Sequence, residues 1–332
     1  MKFAGIIAEY DPFHNGHAWQ LAQAKALGAE RVAVAMSCSL VQRGALPLLP
    51  EAVRTRSALT CGADLVFALP APCACAGAEA FARAGVALLA AAGCDGLVFG
   101  AETPDAALLM EAAELLDSGS YRAALKAQLA GGARSFAAAR QAAAAKLASD
   151  ERVAALLDKP NNNLAVEYCR AIRSLAPRME AYPLPRQGAN HGEALHSAHG
   201  QFASASALRK LWAEGGADAV APYVPEAVFP LYQEAYAAGQ YTDFSAAGRC
   251  ELALLRSACR GKTPFADIRG VSEGLEHRLE AAVRTSTTYD ELLGALTTVR
   301  YPRARMRRLA MDAALGCTAD SLPALPPYLH LL

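Results

Sequence analysis

His14 and His17 stand three residues apart in Glu9-Tyr10-Asp11-Pro12-Phe13-His14-Asn15-Gly16-His17, after an apolar run and at the start of a helical pattern. At that spacing both imidazoles fall on one face of a first helical turn, where unpaired main-chain N–H groups and the positive end of the helix dipole attract phosphate. Imidazole N–H groups can donate to phosphate oxygens. Gly16 has no side chain to hold a flat base or a phosphate away from the backbone. A lone H-x-x-H inside a helix says little, but here a strand and the Asp11-Pro12 turn precede it, which makes the pair a candidate nucleotide site.

Ala203-Ser204-Ala205-Ser206-Ala207-Leu208-Arg209-Lys210 reads as a helix start with serine at its cap and a basic residue one turn in. Taken alone, that is an ordinary capped helix. Arg300, Arg303, Arg305, Arg307 and Arg308 are five arginines in nine residues with no acid among them. On a helix, Arg300, Arg303 and Arg307 would share a face with Arg308 close by, a surface suited to RNA phosphates. A solvated helix face is the competing reading, and the neighbouring Tyr301 favours RNA. His191, His196 and His199 have a spacing that suggests zinc, yet no cysteine is near and Glu193 is the one acidic neighbour, so no metal site is assigned.

These groups need a scaffold. Short apolar runs over 2–8, 31–36, 64–69 and 95–99 read as central strands, with helical patterns over 16–27, 52–61 and 78–92 between them. Such alternation predicts parallel β-α-β units in a doubly wound sheet, whose ligands bind beyond the carboxyl ends of the strands. The pattern over 104–157 is wholly helical and predicts an insertion. A helix over 160–175, a last strand over 179–184, a polar loop over 186–201 and a helix from 204 complete a first domain spanning 1–215. Pro222 and Pro225 mark a boundary, and 220–332 reads as a second, helical domain.

Lys+Arg 32 balance Asp+Glu 32, which excludes a surface that is basic throughout but allows a local basic patch. A hydrophobic fraction of 53% argues for folded domains with substantial cores. Arg83, Asp95 and Glu102 interrupt the most apolar stretch before it reaches the length of a membrane span, and the beginning MKFAGIIAEY turns acidic too soon for a signal peptide. The expectation is a soluble, cytoplasmic protein with no membrane partner. Nine cysteines without a C-x-x-C pair fit buried, reduced thiols.

His14-Asn15-Gly16-His17 resembles the H-x-G-H signature of the nucleotidylyl-transferase superfamily, whose second motif opens a helix with hydroxyls and a basic residue, as Ser204, Ser206 and Arg209 do. The likeness narrows with Met36-Ser37 before Gln42-Arg43-Gly44, Gly62-Ala63-Asp64-Leu65-Val66 with Leu69-Pro70, and Phe99-Gly100-Ala101-Glu102. Pro160-Asn161-Asn162 with Glu167-Tyr168, Arg186-Gln187-Gly188-Ala189, and Arg300-Tyr301 with Arg305 continue it over nearly the whole chain. In this order the motifs resemble the tRNA(Met) cytidine acetate ligase family.

That resemblance implies a two-step reaction. Acetate and ATP give acetyl-adenylate and pyrophosphate; the exocyclic amine of the wobble cytidine of elongator tRNA(Met) then takes the acetyl group, giving N4-acetylcytidine. It also implies Mg²⁺ as the helper of ATP. His14 and His17 would bind phosphates, Ser204 and Ser206 the leaving pyrophosphate, and Arg209 the charge developing there. The implied ATP pocket comprises Ile7, Ala8, Glu9, Tyr10, Asp11, Pro12, Phe13, His14, Asn15, Gly16, His17, Ala18, Trp19 and Gln20, with Gly100, Asn161, Arg186 and Gln187. Arg300, Tyr301, Arg303, Arg305, Arg307 and Arg308 would meet the tRNA.

The chain departs from the family pattern in places. Asp11 stands where asparagine is usual, Cys38-Ser39 where Gly-Asn is common, and Ala45 where an acid is usual, and the chain ends at Leu332 where members run on for another helical segment. The H-x-G-H motif alone leaves open a nucleotidyltransferase moving AMP or CMP onto a small phosphorylated acceptor. The departures leave open a nucleotide- and RNA-binding module without catalysis.

Overall fold

The computed structural model describes residues 1–133, 135–185, 195–197, 200–261, 264–320, 325–326 and 329–332. Five apolar runs form one all-parallel sheet: β1 (Phe3–Ala8), β2 (Arg31–Ser37), β3 (Leu65–Leu69), β4 (Gly96–Ala101) and β5 (Glu180–Pro185), in the spatial order β3-β2-β1-β4-β5. The order reverses at β1, so the crevice between the carboxyl ends of β1 and β4 is where a ligand of such a sheet sits. β1 pairs with β2 from Phe3–Arg31 through Ala8–Met36, but with β4 only at Ala4–Gly96 and Gly5–Leu97. Beyond Gly5 the two strands part. Gln20, on the helix Asn15–Ala26, spans towards the gap and donates from Nε2 to the Val98 carbonyl, 3.1 Å away.

Both faces of the sheet are covered, as parallel strands require. On one face the helices Ala78–Ala91, Ala106–Asp117 and Pro160–Leu175 bury Leu89, Leu109, Val166 and Ile172. Gly85 lets the first of these approach closely, since a Cβ there would lie 2.5 Å from Ile7 Cδ1. The insertion expected over 104–157 is four helices, Ala106–Asp117, Gly119–Ala130, Phe136–Leu147 and Glu151–Leu156, whose N-caps Asp105, Ser118, Ser135 and Asp150 each accept a main-chain N–H.

The other face buries Ile6, Val34 and Leu21 together with Trp212, Val220, Val228 and Tyr232. The helix Phe229–Ala237 therefore packs with the sheet. A separate core begins at Leu252 and joins the helices Phe244–Ala258, Leu275–Thr285, Tyr289–Leu296 and Arg303–Leu315 through Leu255, Leu279, Leu292 and Met306.

Within the stretch read as a loop over 186–201, the backbone of Leu195–Ser197 pairs antiparallel with Gly200–Phe202. His191 and His199 lie outside the described residues, as do Arg186 and Gln187. At the free edge of β3, the Ala68 N–H donates to the His330 carbonyl and the Leu332 N–H to the Val66 carbonyl, so Phe67 and Leu331 form an antiparallel bridge. Among the described residues, no helix is long and apolar enough to cross a membrane.

Candidate functional site

The helix after β1 starts on a capping box built from two histidines. His14 is the N-cap; its Nδ1 accepts the Gly16 N–H at 3.0 Å, while His17 Nδ1 accepts the His14 N–H at 3.3 Å. The rings stack with 3.8 Å between centroids. Because each Nδ1 is an acceptor, a neutral imidazole here carries its proton on Nε2, at the far edge of the ring. Tyr10 holds the turn from behind with a backbone φ of +49, a left-handed conformation that costs a non-glycine residue on the order of 1 kcal/mol. Its ring lies edge-on to Phe13 and His17, at 4.9 and 4.8 Å.

In front of the histidines is a cavity of about 270 Å³ at the carboxyl end of the sheet. The first helix contributes His14, Gly16, His17, Trp19 and Gln20, the strands contribute Ile7, Phe99, Gly100, Leu184 and Pro185, and Asn161, Leu164 and Tyr168 come from the helix Pro160–Leu175. Asn161 is oriented by Glu102, whose Oε1 accepts its side-chain N–H at 2.6 Å and whose carboxylate also caps the main-chain N–H groups of Asn161 and Asn162. Ala203, Ser204 and Ala205 close the remaining side. Ser204 caps its helix through the Ala207 N–H, and its hydroxyl lies 3.0 Å from that of Ser206. One polar side with convergent donors, facing apolar and aromatic walls, suits a nucleotide.

The structure brings together fewer of the expected residues than the continuous segment Ile7 to Gln20. Ala8, Tyr10, Asp11 and Phe13 are buried behind the cavity, and Pro12 with them. Asn15 donates to the Pro222 carbonyl at 3.3 Å, and Ala18 faces a different hollow with Pro222 and Glu226. Glu9 turns to the loop after β2, its Oε1 accepting the Gln42 N–H. Arg209 does not line the cavity: its guanidinium donates to the Asp11 carbonyl and lies 3.4 Å from Asp11 Oδ2, which also pairs with Arg43. Burial chiefly, with the positive charge of Arg307 nearby, pushes both guanidiniums down to about 10.

Behind these loops is a residue that sequence reading passes over. Arg54 is 0% exposed and donates to the carbonyls of Leu49, Glu9, Ser37 and Cys38. It ties the ends of β1 and β2 to the following loop with one planar fork. No local pattern marks it, since a cation on a helix between polar neighbours reads as solvated. Tyr232 adds a second tie, its hydroxyl donating to the Phe13 carbonyl at 2.6 Å.

The arginine run is divided by its own proline. The helix begins at Arg303 with Pro302 as N-cap, so Arg300 and Tyr301 precede it, which corrects the expected common face of Arg300, Arg303 and Arg307. Arg300 pairs with Glu273 at 2.7 Å and Arg303 with Asp290 at 2.6 Å, while Arg305 lies over the Tyr301 ring, 5.1 Å from its centroid. Arg308 donates to the Gln42 carbonyl at 3.2 Å, and Arg307 points to Arg43 and Arg209 across a second cavity. Gly44 makes this approach possible: its φ is +75, and a Cβ would lie 2.6 Å from the Arg308 nitrogen.

A family model described as HIGH Nucleotidyl Transferase matches residues 1–332. The tRNA(Met) cytidine acetate ligase of Syntrophotalea carbinolica is 36% identical over 100% of this chain and 79% of its own length, and that of Acetivibrio thermocellus is 33% identical over 100% and 82%. This chain belongs to the tRNA(Met) cytidine acetate ligase family. Crystal structures of Thermotoga maritima TmcAL agree with the membership. The apo form has a TM-score of 0.89 at 30% identity, covering 96% of this chain and 77% of that one. The form bound with alpha-thio ATP has a TM-score of 0.87 at 29% identity, covering 96% and 76%.

The departures from the tRNA(Met) cytidine acetate ligase pattern fall behind the cavity. Asp11 is 1% exposed and pairs with both Arg43 and Arg209 while its Oδ1 accepts the Leu48 N–H. Cys38 is buried with its thiol pushed up to about 12 by burial and by Glu51, so it is a packed, unreactive group. Ala45 forms an antiparallel bridge with Val41 that closes the loop. None of the three lines the cavity in front of His14 and His17.

Proposed function

We propose that this chain is an ATP-dependent ligase that activates acetate as acetyl-adenylate and acetylates N4 of the wobble cytidine of elongator tRNA(Met). The observation that carries this reading is the His14–His17 cavity, found in a chain alike over its full length to ligases named for that reaction. In the first step an acetate oxygen attacks the α-phosphorus while the bond from that phosphorus to the bridging oxygen of pyrophosphate breaks. The Nε2–H groups of His14 and His17 would donate to phosphate oxygens as charge shifts towards the leaving group, and Ser204 would hold the departing pyrophosphate. Ser206 and Arg209 support this wall from the same helix. In the second step the cytidine amine attacks the acetyl carbon, AMP leaves and the amine loses a proton.

The adenine end would lie against Ile7, Gly100 and Asn161. Among the described residues no three His, Cys, Asp or Glu side chains cluster to hold a metal ion, so Mg²⁺ would be carried chiefly by the triphosphate. Residues 1–215 would handle ATP and acetate, and the helices over 220–332 would carry the RNA contact through Arg300 to Arg308. The place of work would be the cytoplasm, where the tRNA is.

The test is to incubate the protein with ATP, acetate and unmodified tRNA(Met), then digest the RNA and weigh its nucleosides by mass spectrometry. N4-acetylcytidine at the wobble position is expected. Pyrophosphate release that needs a phosphorylated acceptor in place of acetate would overturn the reading.

A further inference from the structure

Beside the ATP cavity lies a second one of about 410 Å³, between the Gln42-Arg43-Gly44 loop, the helix Ala205–Gly215 and the C-terminal helices. Arg43, Arg209 and Arg307 line it from three separate segments. The first two share the single carboxylate of Asp11, and Arg307 makes no ion pair among the described residues. Three guanidiniums that meet at one cavity from separate segments present forked donors suited to an anion, above all a phosphate, with the Glu251 carboxylate in the same lining. Burial is the main cause that lowers Arg43 and Arg209, and neighbouring guanidiniums, Arg307 among them, add to it.

The rest of the lining is not that of a simple anion hole. Glu251, 9% exposed, lies beside the Tyr289 hydroxyl, and the two interact with each other in the cavity wall. Phe244 adds an aromatic side chain that is 38% exposed. Phosphate donors, a buried carboxylate and an accessible ring are the three groups that recognise an unstacked nucleotide bearing an exocyclic amine.

We infer that this cavity seats one nucleotide of the RNA substrate, its phosphate held by Arg307 and Arg43, its base stacked on Phe244 and its exocyclic amine donating to Glu251. The inference rests on the reading that the substrate is RNA. The helix Ala205–Gly215 borders both cavities, with Ser204 at its start in one and Arg209 in the other, about 7.5 Å further along the axis. A nucleotide held here fixes the strand beside the acetyl-adenylate.

The test uses the full chain and a tRNA(Met) transcript. Acetate-dependent exchange of pyrophosphate into ATP reports on the ATP cavity, and KM for the transcript reports on the second. Phe244→Ala is expected to keep the parental exchange rate and to raise KM for the transcript about tenfold, the loss of one stacked base. Arg307→Gln is expected to reduce the slope of log affinity against log salt by about 1, and Arg307→Lys to restore it. A parent that exchanges pyrophosphate but does not acetylate the transcript overturns the RNA reading and this inference together. A parent that acetylates it, with KM unchanged in Phe244→Ala and the salt slope unchanged in Arg307→Gln, overturns the inference alone.

Discussion

His14 and His17 lie ring against ring, 3.8 Å apart, and each gives its Nδ1 to a main-chain N–H of the same helical turn. The cap uses one edge of each ring, and under the proposed reaction the phosphates would meet the opposite edge. Any substitution at these positions changes both, unless the new side chain keeps the cap.

Asparagine keeps it. His14→Asn retains an acceptor for the Gly16 N–H, as asparagine is among the best N-caps, but removes the Nε2 donor. Pyrophosphate exchange is expected to fall about a hundredfold or more, the scale for losing one donor to a developing charge, with the melting temperature nearly unchanged. His14→Ala should also lose about 1 kcal/mol of stability. Parental exchange in His14→Asn would remove this histidine from the chemistry.

Arg54→Met exposes the role of the buried fork. Four carbonyls, at Leu49, Glu9, Ser37 and Cys38, would lose their donor in a site closed to water. The expected cost is about 3 kcal/mol, read as a lower urea midpoint with an unchanged slope. A midpoint within error of the parent would mean that these carbonyls find other partners.

Gly44→Ala and Gly62→Ala form a matched pair. Both residues have positive φ, +75 and +103, but a Cβ at Gly44 meets the Arg308 backbone, while none lies within 4 Å at Gly62. Each should lose about 1 kcal/mol through backbone strain, and Gly44→Ala about 1–3 kcal/mol more through overlap. Equal melting temperatures for the two variants would show that the loop does not press on the arginine helix.

Four thiols give a pH dependence. Burial is the main cause that pushes Cys38, Cys75, Cys94 and Cys169 up to about 12. The folded values lie above the unfolded value of about 8.5, so their contribution to stability is full below that pH and is lost as pH rises towards 12. Urea midpoints should decline through this alkaline window. At neutral pH a maleimide should reach the exposed Cys250 well before these four; Cys38 reacting as fast as Cys250 would contradict the burial.

The helix starts at His14 and Ser204 are legible in the sequence because local chemistry sets them, a side chain that caps the first turn, with an apolar stripe following in the second. The strands are legible because parallel strands buried on both faces read as short apolar runs. The apolar wall of the cavity is not, since Phe99 and Leu184 at strand ends look like any core residue. Arg54 is hidden for another reason: its partners are carbonyls from separate loops, which exist as a cluster only after folding. In the arginine run the signal is present in Pro302, which fixes the helix start, but the neutralising Glu273 and Asp290 come from distant segments. Pro222 and Pro225 punctuate the chain, yet Val220 and Val228 on either side serve the same core.

The bridge between Phe67 and Leu331 has a bearing on the behaviour of the protein in a crowded solution. An open parallel sheet ends in two rows of unpaired backbone groups, which are templates for strand-to-strand self-association. At β3 the hydrogen bonds to His330 and Leu332 occupy part of that row, and at β5 Pro183 and Pro185 have no N–H to offer. Both margins of the sheet are thereby blunted against addition of a sixth strand from another molecule. Deleting residues 330–332 is expected to leave the ATP cavity intact and to make the protein prone to aggregate, and light scattering during storage would register the difference.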